Sequence, residues 1–337
     1  MKKGFRLFIK AISWILTVFV ILTLVIIITK VAKPSSVGID VDSLGIRKEM
    51  FLRRYGANLN RTTFTSVKDL KNEVIDYYKM LLKGELGWTY KIVRTVDSMG
   101  NPISRRENIE PIGGILKTGF NRSIKLLSVA ISISLVLGIL KGVFDSKKDK
   151  KDGSSFKLFT TVIGLSIPAI FLAPLLQLLG MWLSYTYKIN LPFRGYETLR
   201  HLILPTIALS ALPTMYIARI TAVAMDRAYE NEYIRTAISK GSSRLRVMWI
   251  HVFRNAIVEI AGSLPSVLTI LISDLAIVEY LFDYKGLTYM MLEYYHQGQS
   301  DVVTGIALVL CAIFAVFYLL IKLLKFALDP KGRSAAI

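Results

Sequence analysis

Residues 230–256, "ENEYIRTAISKGSSRLRVMWIHVFRNA", form a charged, helix-compatible stretch broken once by Gly241 and flanked on both sides by long apolar runs. Gly241 suits a left-handed closing conformation, and Ser242 or Ser243 can cap a second helix entering "RLRVMWIH". The spacing predicts a helix, a sharp turn and a helix. Tyr229, Tyr233, Ala237 and, half a turn away, Ile234 supply apolar contacts, while Glu230, Glu232, Arg235 and Lys240 give both signs of charge. Such a segment suits docking into a groove of another protein. A helix lying on lipid would carry a more uniformly basic polar face.

The flanks of this stretch set the solvent. Hydrophobic residues make up 53% of 337 and mean hydropathy is +0.47, values of a chain with several membrane spans. Runs long enough to cross about 30 Å of hydrocarbon lie near residues 8–29, 124–144, 158–184, 202–224, 257–282 and 302–324. Six spans are expected. The first run, with its apolar core from Ala11 to Thr29, is longer than a secretory signal's and lacks an A-x-A-like site after it, so it is expected to be retained. The chain then divides into an N-terminal transmembrane helix (1–30), an extracytoplasmic segment (31–118), a five-helix membrane core (119–329) holding a cytoplasmic loop at 226–255, and a cytoplasmic tail (330–337).

Orientation follows from loop charge, since Lys and Arg near span ends stay in the cytoplasm. Segments 1–10, 141–157, 226–255 and 322–337 hold twenty Lys and Arg, whereas the short loops 184–199 and 283–301 hold three. Both termini are therefore expected in the cytoplasm. The net charge of +19 is explained largely by this topology and by anionic lipid, which leaves nucleic acid as an unexpected partner.

In the long external segment, Val67, Leu70, Val74, Tyr77, Tyr78 and Leu81 recur at helical spacing, predicting an amphipathic helix ended by Gly84. Its apolar content is too sparse for an independent core. "VDSMGNPISRREN", residues 96–108, reads as an exposed loop, and "FDSKKDKKDGSSFK", between the second and third runs, as a solvated turn. Pro168, Pro174, Pro205, Pro213 and Pro265 punctuate the spans. Helices so interrupted must find substitutes for lost backbone bonds from neighbours or water, which favours a packed bundle around a pathway.

Chemistry is sparse. "GGILKTG" has Lys-Thr without the glycine spacing of a phosphate-binding loop. His201, His251 and His296 are scattered without metal-ligand spacing, no G-x-S-x-G elbow occurs, and Cys311 is the single cysteine. No catalytic residue, metal or cofactor is expected in this chain. Trp88, Trp182, Tyr185 and Tyr187 suit an interfacial belt. Asp274 and Glu279, in the outer half of the fifth run, are candidates for the translocation path, because ionisable groups at membrane depth face a cavity or the bundle interior. For Asp274, a border on the pathway and a solvated or paired site at the outer mouth both stay open.

"EYIRTAISKG" followed by "RNA" resembles the EAA loop of binding-protein-dependent ABC transporter permeases of the dipeptide/oligopeptide/nickel family, usually close to YVRTARAKG and then RHALRNA. Further motifs follow in family order: "KGELGWTY" resembles G-D-L-G-x-S, "HLILPTIALSALPTMYIAR" the fourth-span L-P-x-x-x-L, "VEYLFDYKGL" V-E-x-x-F-x-x-P-G-L, and "FALDPKGR" L-D-P-R-x-R. Ile238, Ser239, Ile250, Val252, Phe253 and Lys285 depart from those patterns. The resemblance implies an all-α, six-span permease of the type I ABC importer fold in the bacterial inner membrane. It implies a second homologous permease subunit, two cytoplasmic ATPases that use ATP and Mg, and an extracytoplasmic binding protein delivering peptides. By position in the motif, Glu232, Tyr233, Arg235, Ala237 and Gly241, with Arg254 and Asn255 at the return to the fifth span, become coupling-loop residues, and Glu279, on the V-E position, inclines to a structural role. Import of nickel or metal chelates is an alternative within this machinery. An ion-coupled secondary transporter would need repeated halves with buried carboxylates, and a membrane scaffold without transport would have no reason for an ATPase-docking helix.

Overall fold

In a computed structural model, residues 20–28, 67–84, 86–96, 102–146, 154–188, 191–297 and 299–328 are described. Five helical stretches among them are long and apolar enough to cross a membrane: Ile112–Asp145, Ala169–Tyr187, Leu199–Tyr229, Val247–Leu281 and Ser300–Lys325. The first apolar run lies mostly outside the described residues, although 20–28 are helical, so the expected sixth span is not counted here. The chain is a multi-pass membrane protein.

Two compact units divide the chain, residues 1–120 with 290–312 and residues 121–289 with 313–337. In the first, helix α1 (Val67–Leu82) forms where the apolar periodicity predicts it, and Gly84 at φ +70° closes it with its N–H on the Leu81 carbonyl. Val74 and Tyr77 are buried against Ile26, with Ile27, Tyr78, Leu81 and Leu308 around them. The helix thus solves its lack of an independent core by packing on membrane helices. Of the stretch expected as a loop at 96–108, Val96 and residues 102–108 are strand, and residues 97–101 lie outside the described residues. β1 (Trp88–Val96) pairs antiparallel with β2 (Pro102–Pro111), register running from Trp88↔Pro111 to Val96↔Pro102 with an irregularity at Tyr90/Lys91. A polar strand lacks a hydrophobic signature; its backbone partner supplies the hydrogen bonds. Thr89 Oγ1 donates to Gln299 Oε1, tying this hairpin to the start of α9 (Ser300–Leu328).

The second unit holds most of α2 (Ile112–Asp145), α3 (Ser154–Ser166), α4 (Ala169–Tyr187), a short 3₁₀ turn (Leu199–Leu202), α5 (Ile203–Tyr229) and α6 (Glu232–Ser239). A π-helical stretch (Val247–Phe253) leads into α7 (Arg254–Leu281), and α8 (Leu287–His296) follows. The third apolar run is not one helix. Pro168, extended at φ −67° and ψ 148°, separates α3 from α4, because proline pushes its predecessor out of the helical region. Pro174, Pro213 and Pro265 do lie inside helices, whereas Pro205 falls in the first turn of α5, where no N–H is needed.

Leu126, Leu127 and Ala130 of α2, Leu209 and Ile217 of α5, and Leu271, Leu275 and Val278 of α7 form the main core. The α2–α5 crossing depends on two glycines. A Cβ on Gly138 would stand 2.7 Å from Ile217 Cβ, and one on Gly142 2.6 Å from the Ala218 carbonyl oxygen. Residues 138–142, "GILKG", are thus a small-xxx-small contact that lets two backbones approach in lipid. At the end of α2, Asp145 Oδ2 accepts from Lys141 Nζ at 2.7 Å and from Thr161 Oγ1 at 2.7 Å, pinning α3 to α2. Asp145, from the stretch expected as a solvated turn, is therefore part of a helix joint, while residues 147–153 of that stretch lie outside the described residues.

Candidate functional site

The helix, turn and helix predicted around Gly241 are present. α6 ends in a Schellman turn: Gly241 takes φ +78°, the Gly241 N–H bonds the Ile238 carbonyl at 2.9 Å, and the Ser242 N–H bonds the Ala237 carbonyl at 3.2 Å. A Cβ at Gly241 would meet nothing within 4 Å, so the backbone angle alone calls for glycine. The chain restarts with the Val247 N–H on the Ser243 carbonyl and widens into the π-helix, a form that occurs chiefly as short insertions at functional sites.

What fixes this elbow is Ile234, 1% exposed among Ala224, Met225 and Ala228 of α5, Val247, Met248 and Val252 of the π-helix, and Ala256 and Ile260 of α7. Tyr229 and Ala237 border the same cluster. The order of apolar importance expected from the sequence is thereby changed. Tyr233 points outward at 43% exposed, with its hydroxyl accepting from the Asn255 side-chain amide. That bond joins two of the candidate coupling residues across the turn. Glu232, Arg235 and Arg254 are exposed, and none forms an ion pair among the described residues. Around them Ile238, Leu245 (63% exposed), Trp249 and Ile250 show apolar surface. The elbow is therefore held from behind by its own chain and offers mixed apolar and charged groups in front. Sequence inspection passed over Leu245 and Trp249, whose signal was a large apolar residue in an otherwise charged turn.

Asp274 and Glu279 part company. Glu279 is fully buried: Oε1 accepts from Ser123 Oγ at 2.5 Å, and Oε2 from the Thr288 N–H at 2.9 Å, Thr288 Oγ1 at 2.5 Å and the Tyr289 N–H at 3.1 Å. Ser123 Oγ in turn accepts the Leu287 N–H at 2.7 Å. Together the two side chains satisfy the first three donors of α8, a capping arrangement supplied from elsewhere in the chain. Glu279 thus ties the end of α7 to the start of α8, the structural role to which its place in the motif inclines it. Gly286 leaves room for the carboxylate, since a Cβ there would overlap it. The Tyr284 hydroxyl donates to the Arg122 carbonyl at 3.3 Å, and burial together with the Glu279 charge pushes its phenol above the ordinary value, with Arg122 opposing.

Asp274 is half-buried on α7, its Oδ2 enclosed and without a hydrogen-bond partner among the described residues. It lies about 30 Å along the helix from Arg254, so the structure does not bring it to the elbow. The exposed face of α7 runs beside it, through Gly262, Ser266, Thr269, Ser273 and Tyr280, which at about 100° per residue fall on one stripe. Asn121, Lys125, Ser128 and Ser132 of α2 make a similar stripe. Elsewhere the spans expose large apolar side chains, among them Val136, Leu140, Phe171, Leu175 and Leu178. Lipid accepts the second kind of surface, while polar stripes belong against protein or a water-filled path. Arg219, exposed on α5 and without an ion pair among the described residues, is a further ionisable group inside a span.

The profile of the family described as binding-protein-dependent transport system inner membrane component matches residues 134–334, which takes in the elbow and all of α7. The dipeptide transport system permease protein of Bacillus subtilis (strain 168) is 27% identical over 225 residues, covering 66% of this chain and 71% of its own. The oligopeptide transport system permease protein of the same organism is 24% identical over 320 residues, covering 92% and 93%. The dipeptide transport system permease protein of Lactococcus lactis subsp. cremoris (strain MG1363) is 26% identical over 213 residues, covering 63% and 68%.

Proposed function

Since this chain belongs to the family of binding-protein-dependent transport system inner membrane components, we propose that it is a permease subunit of an ATP-driven ABC importer and forms half of a pathway for di- or oligopeptides. The elbow around Gly241 carries this reading. An eight-residue helix rooted by Ile234 moves as one body with α5 and α7, so a push on its exposed Tyr233 and Ile238, and on Leu245 past the turn, is passed to both spans. One of two cytoplasmic ATPases holds that face, Tyr233 entering an apolar cleft and Arg235 pairing with an acid. Both termini lie with the elbow in the cytoplasm. ATP and Mg are used by those subunits, and this chain performs no bond chemistry.

A second, similar permease covers the polar stripes of α7 and α2, and the space between the two chains is the path. An extracytoplasmic binding protein delivers the solute to the outer end. The relatives named as dipeptide and oligopeptide permeases support peptides as the cargo.

Co-expression of this chain with the permease, ATPase and binding-protein subunits encoded beside it tests the proposal. Affinity capture of this chain should bring down both ATPases, and vesicles holding the assembly should accumulate labelled dipeptide only with ATP and binding protein. Capture without ATPases, or ATP-independent accumulation, refutes it.

A further inference from the structure

A cavity of about 360 Å³ opens at the outer end of α7, lined by Gln177 of α4, Arg194 in the segment after α4, and Tyr280, Leu281, Asp283 and Tyr289. Tyr280 is also the last residue of the polar stripe on α7, so the cavity continues the face assigned to the path. Its size lies in the range of small-ligand sites.

Its walls are fixed from behind. Gln177 Nε2 donates to the Leu281 carbonyl at 2.7 Å and to the Phe193 carbonyl at 3.3 Å, and the Gly195 N–H bonds the Phe282 carbonyl at 2.8 Å. These bonds set Arg194 beside the end of α7. The rings of Tyr280 and Tyr289 lie 6.4 Å apart, tilted by 31°. Arg194 and Asp283 bring opposite charges to one cavity, yet the side chains of both are without an ion pair or hydrogen bond among the described residues.

Asp283 is also in an unusual conformation. α7 ends in the same Schellman turn as α6, with the Asp283 N–H on the Tyr280 carbonyl at 3.2 Å and the Tyr284 N–H on the Glu279 carbonyl at 2.9 Å. The left-handed position that Gly241 fills in α6 is here taken by Asp283 at φ 53°. Glycine makes that turn without steric cost and Asp is among the few other residues that tolerate it, so the turn admits a carboxylate at the edge of the cavity.

We propose that this cavity is an outer entry subsite for zwitterionic peptides, with Asp283 receiving the terminal ammonium, Arg194 the terminal carboxylate, and Tyr280 and Tyr289 the residue between. The inference rests on the peptide-importer reading and names where this chain first touches its cargo. A carboxylate and a guanidinium that line one cavity without pairing complement the two ends of a short peptide, and the tyrosines add sequence-tolerant apolar contact.

The test uses the whole importer in vesicles with dialanine, N-acetyl-dialanine and dialanine amide as probes. Asp283→Asn, which keeps a residue tolerant of the left-handed region, should raise the half-saturating concentration for dialanine and its amide about tenfold and leave that for N-acetyl-dialanine unchanged. Arg194→Gln should do the converse, affecting dialanine and N-acetyl-dialanine while sparing the amide. Equal losses for all three probes would assign the cavity to docking of the binding protein and overturn the inference, as would no change for any. If the unmodified importer moves no dialanine and no longer peptide, the peptide reading itself fails, an outcome distinct from either.

Discussion

Ile234→Ala removes all but the β-carbon of a side chain that α5, the π-helix and α7 enclose. Large-to-small changes at sealed sites cost about 2–5 kcal/mol. α6 is eight residues long, too short to persist as a helix in water without tertiary support, so the loss falls mainly on its docking. Taking about 2–3 kcal/mol, the ratio of docked to undocked elbow falls about 30- to 150-fold. Hydrogen–deuterium exchange on the assembled importer reads this directly: amides within 232–240 should exchange faster by that factor, while those of the α7 core at 267–278 keep their protection. Tyr233→Phe supplies the scale, since losing the bond from Asn255 costs about 0.5–1.5 kcal/mol and should speed the same amides about 2- to 12-fold. Transport should fall more steeply than ATPase capture in Ile234→Ala, because the exposed face survives while its root is loosened. Unchanged exchange at 232–240, or an equal rise at 267–278, would refute the idea that Ile234 is the local root of the elbow.

Three further outcomes are expected. Glu279→Gln places an amide donor against the Thr288 and Tyr289 N–H groups and should lower stability by about 1.5–3 kcal/mol, seen as a reduced Tm in detergent; an unchanged Tm would remove its capping role. Gly142→Leu should prevent the α2–α5 crossing and abolish a monodisperse complex by size exclusion, whereas Gly241→Ala, strained only in φ, should cost about 1 kcal/mol and still fold. In a Cys311→Ser background, Ser266→Cys and Ser273→Cys should react with a membrane-impermeant maleimide and be protected by transported peptide, while Leu175→Cys, on the lipid-facing side of α4, should not react; the reverse pattern would place the path elsewhere.

Much of this protein is legible from the chain. Run lengths announce the spans, the 3.6-residue repeat marks α1, and Gly241 between two helix-compatible segments marks the elbow. Each is a local matter of hydropathy, periodicity or backbone conformation, written within a window of one helix or turn. The motifs around Tyr233, Arg235 and Gly241 even indicate the family that the profile match bears out. The same windows leave Glu279 between two roles, because an acid near the end of a span looks alike whether it borders water or caps a helix. Ser123, 156 positions away, and the N–H groups of α8 decide the matter, and no local pattern contains them. Likewise Ser266, Thr269 and Ser273 stand in plain sight at helical spacing, yet only the packing of the opposite face of α7 against α2 and α5 turns them outward. The break at Pro168, the approach of Gly138 and Gly142 to α5, and the choice of Ile234 over Tyr233 as the root of the elbow are decided in the same way. Sequence by itself determined which segments are apolar enough to enter a membrane and that the chain reverses at Gly241, since those depend on transfer free energy and torsion residue by residue. Tertiary structure decided which face of each helix meets protein and which meets water or lipid, since that depends on contacts between residues far apart in the chain.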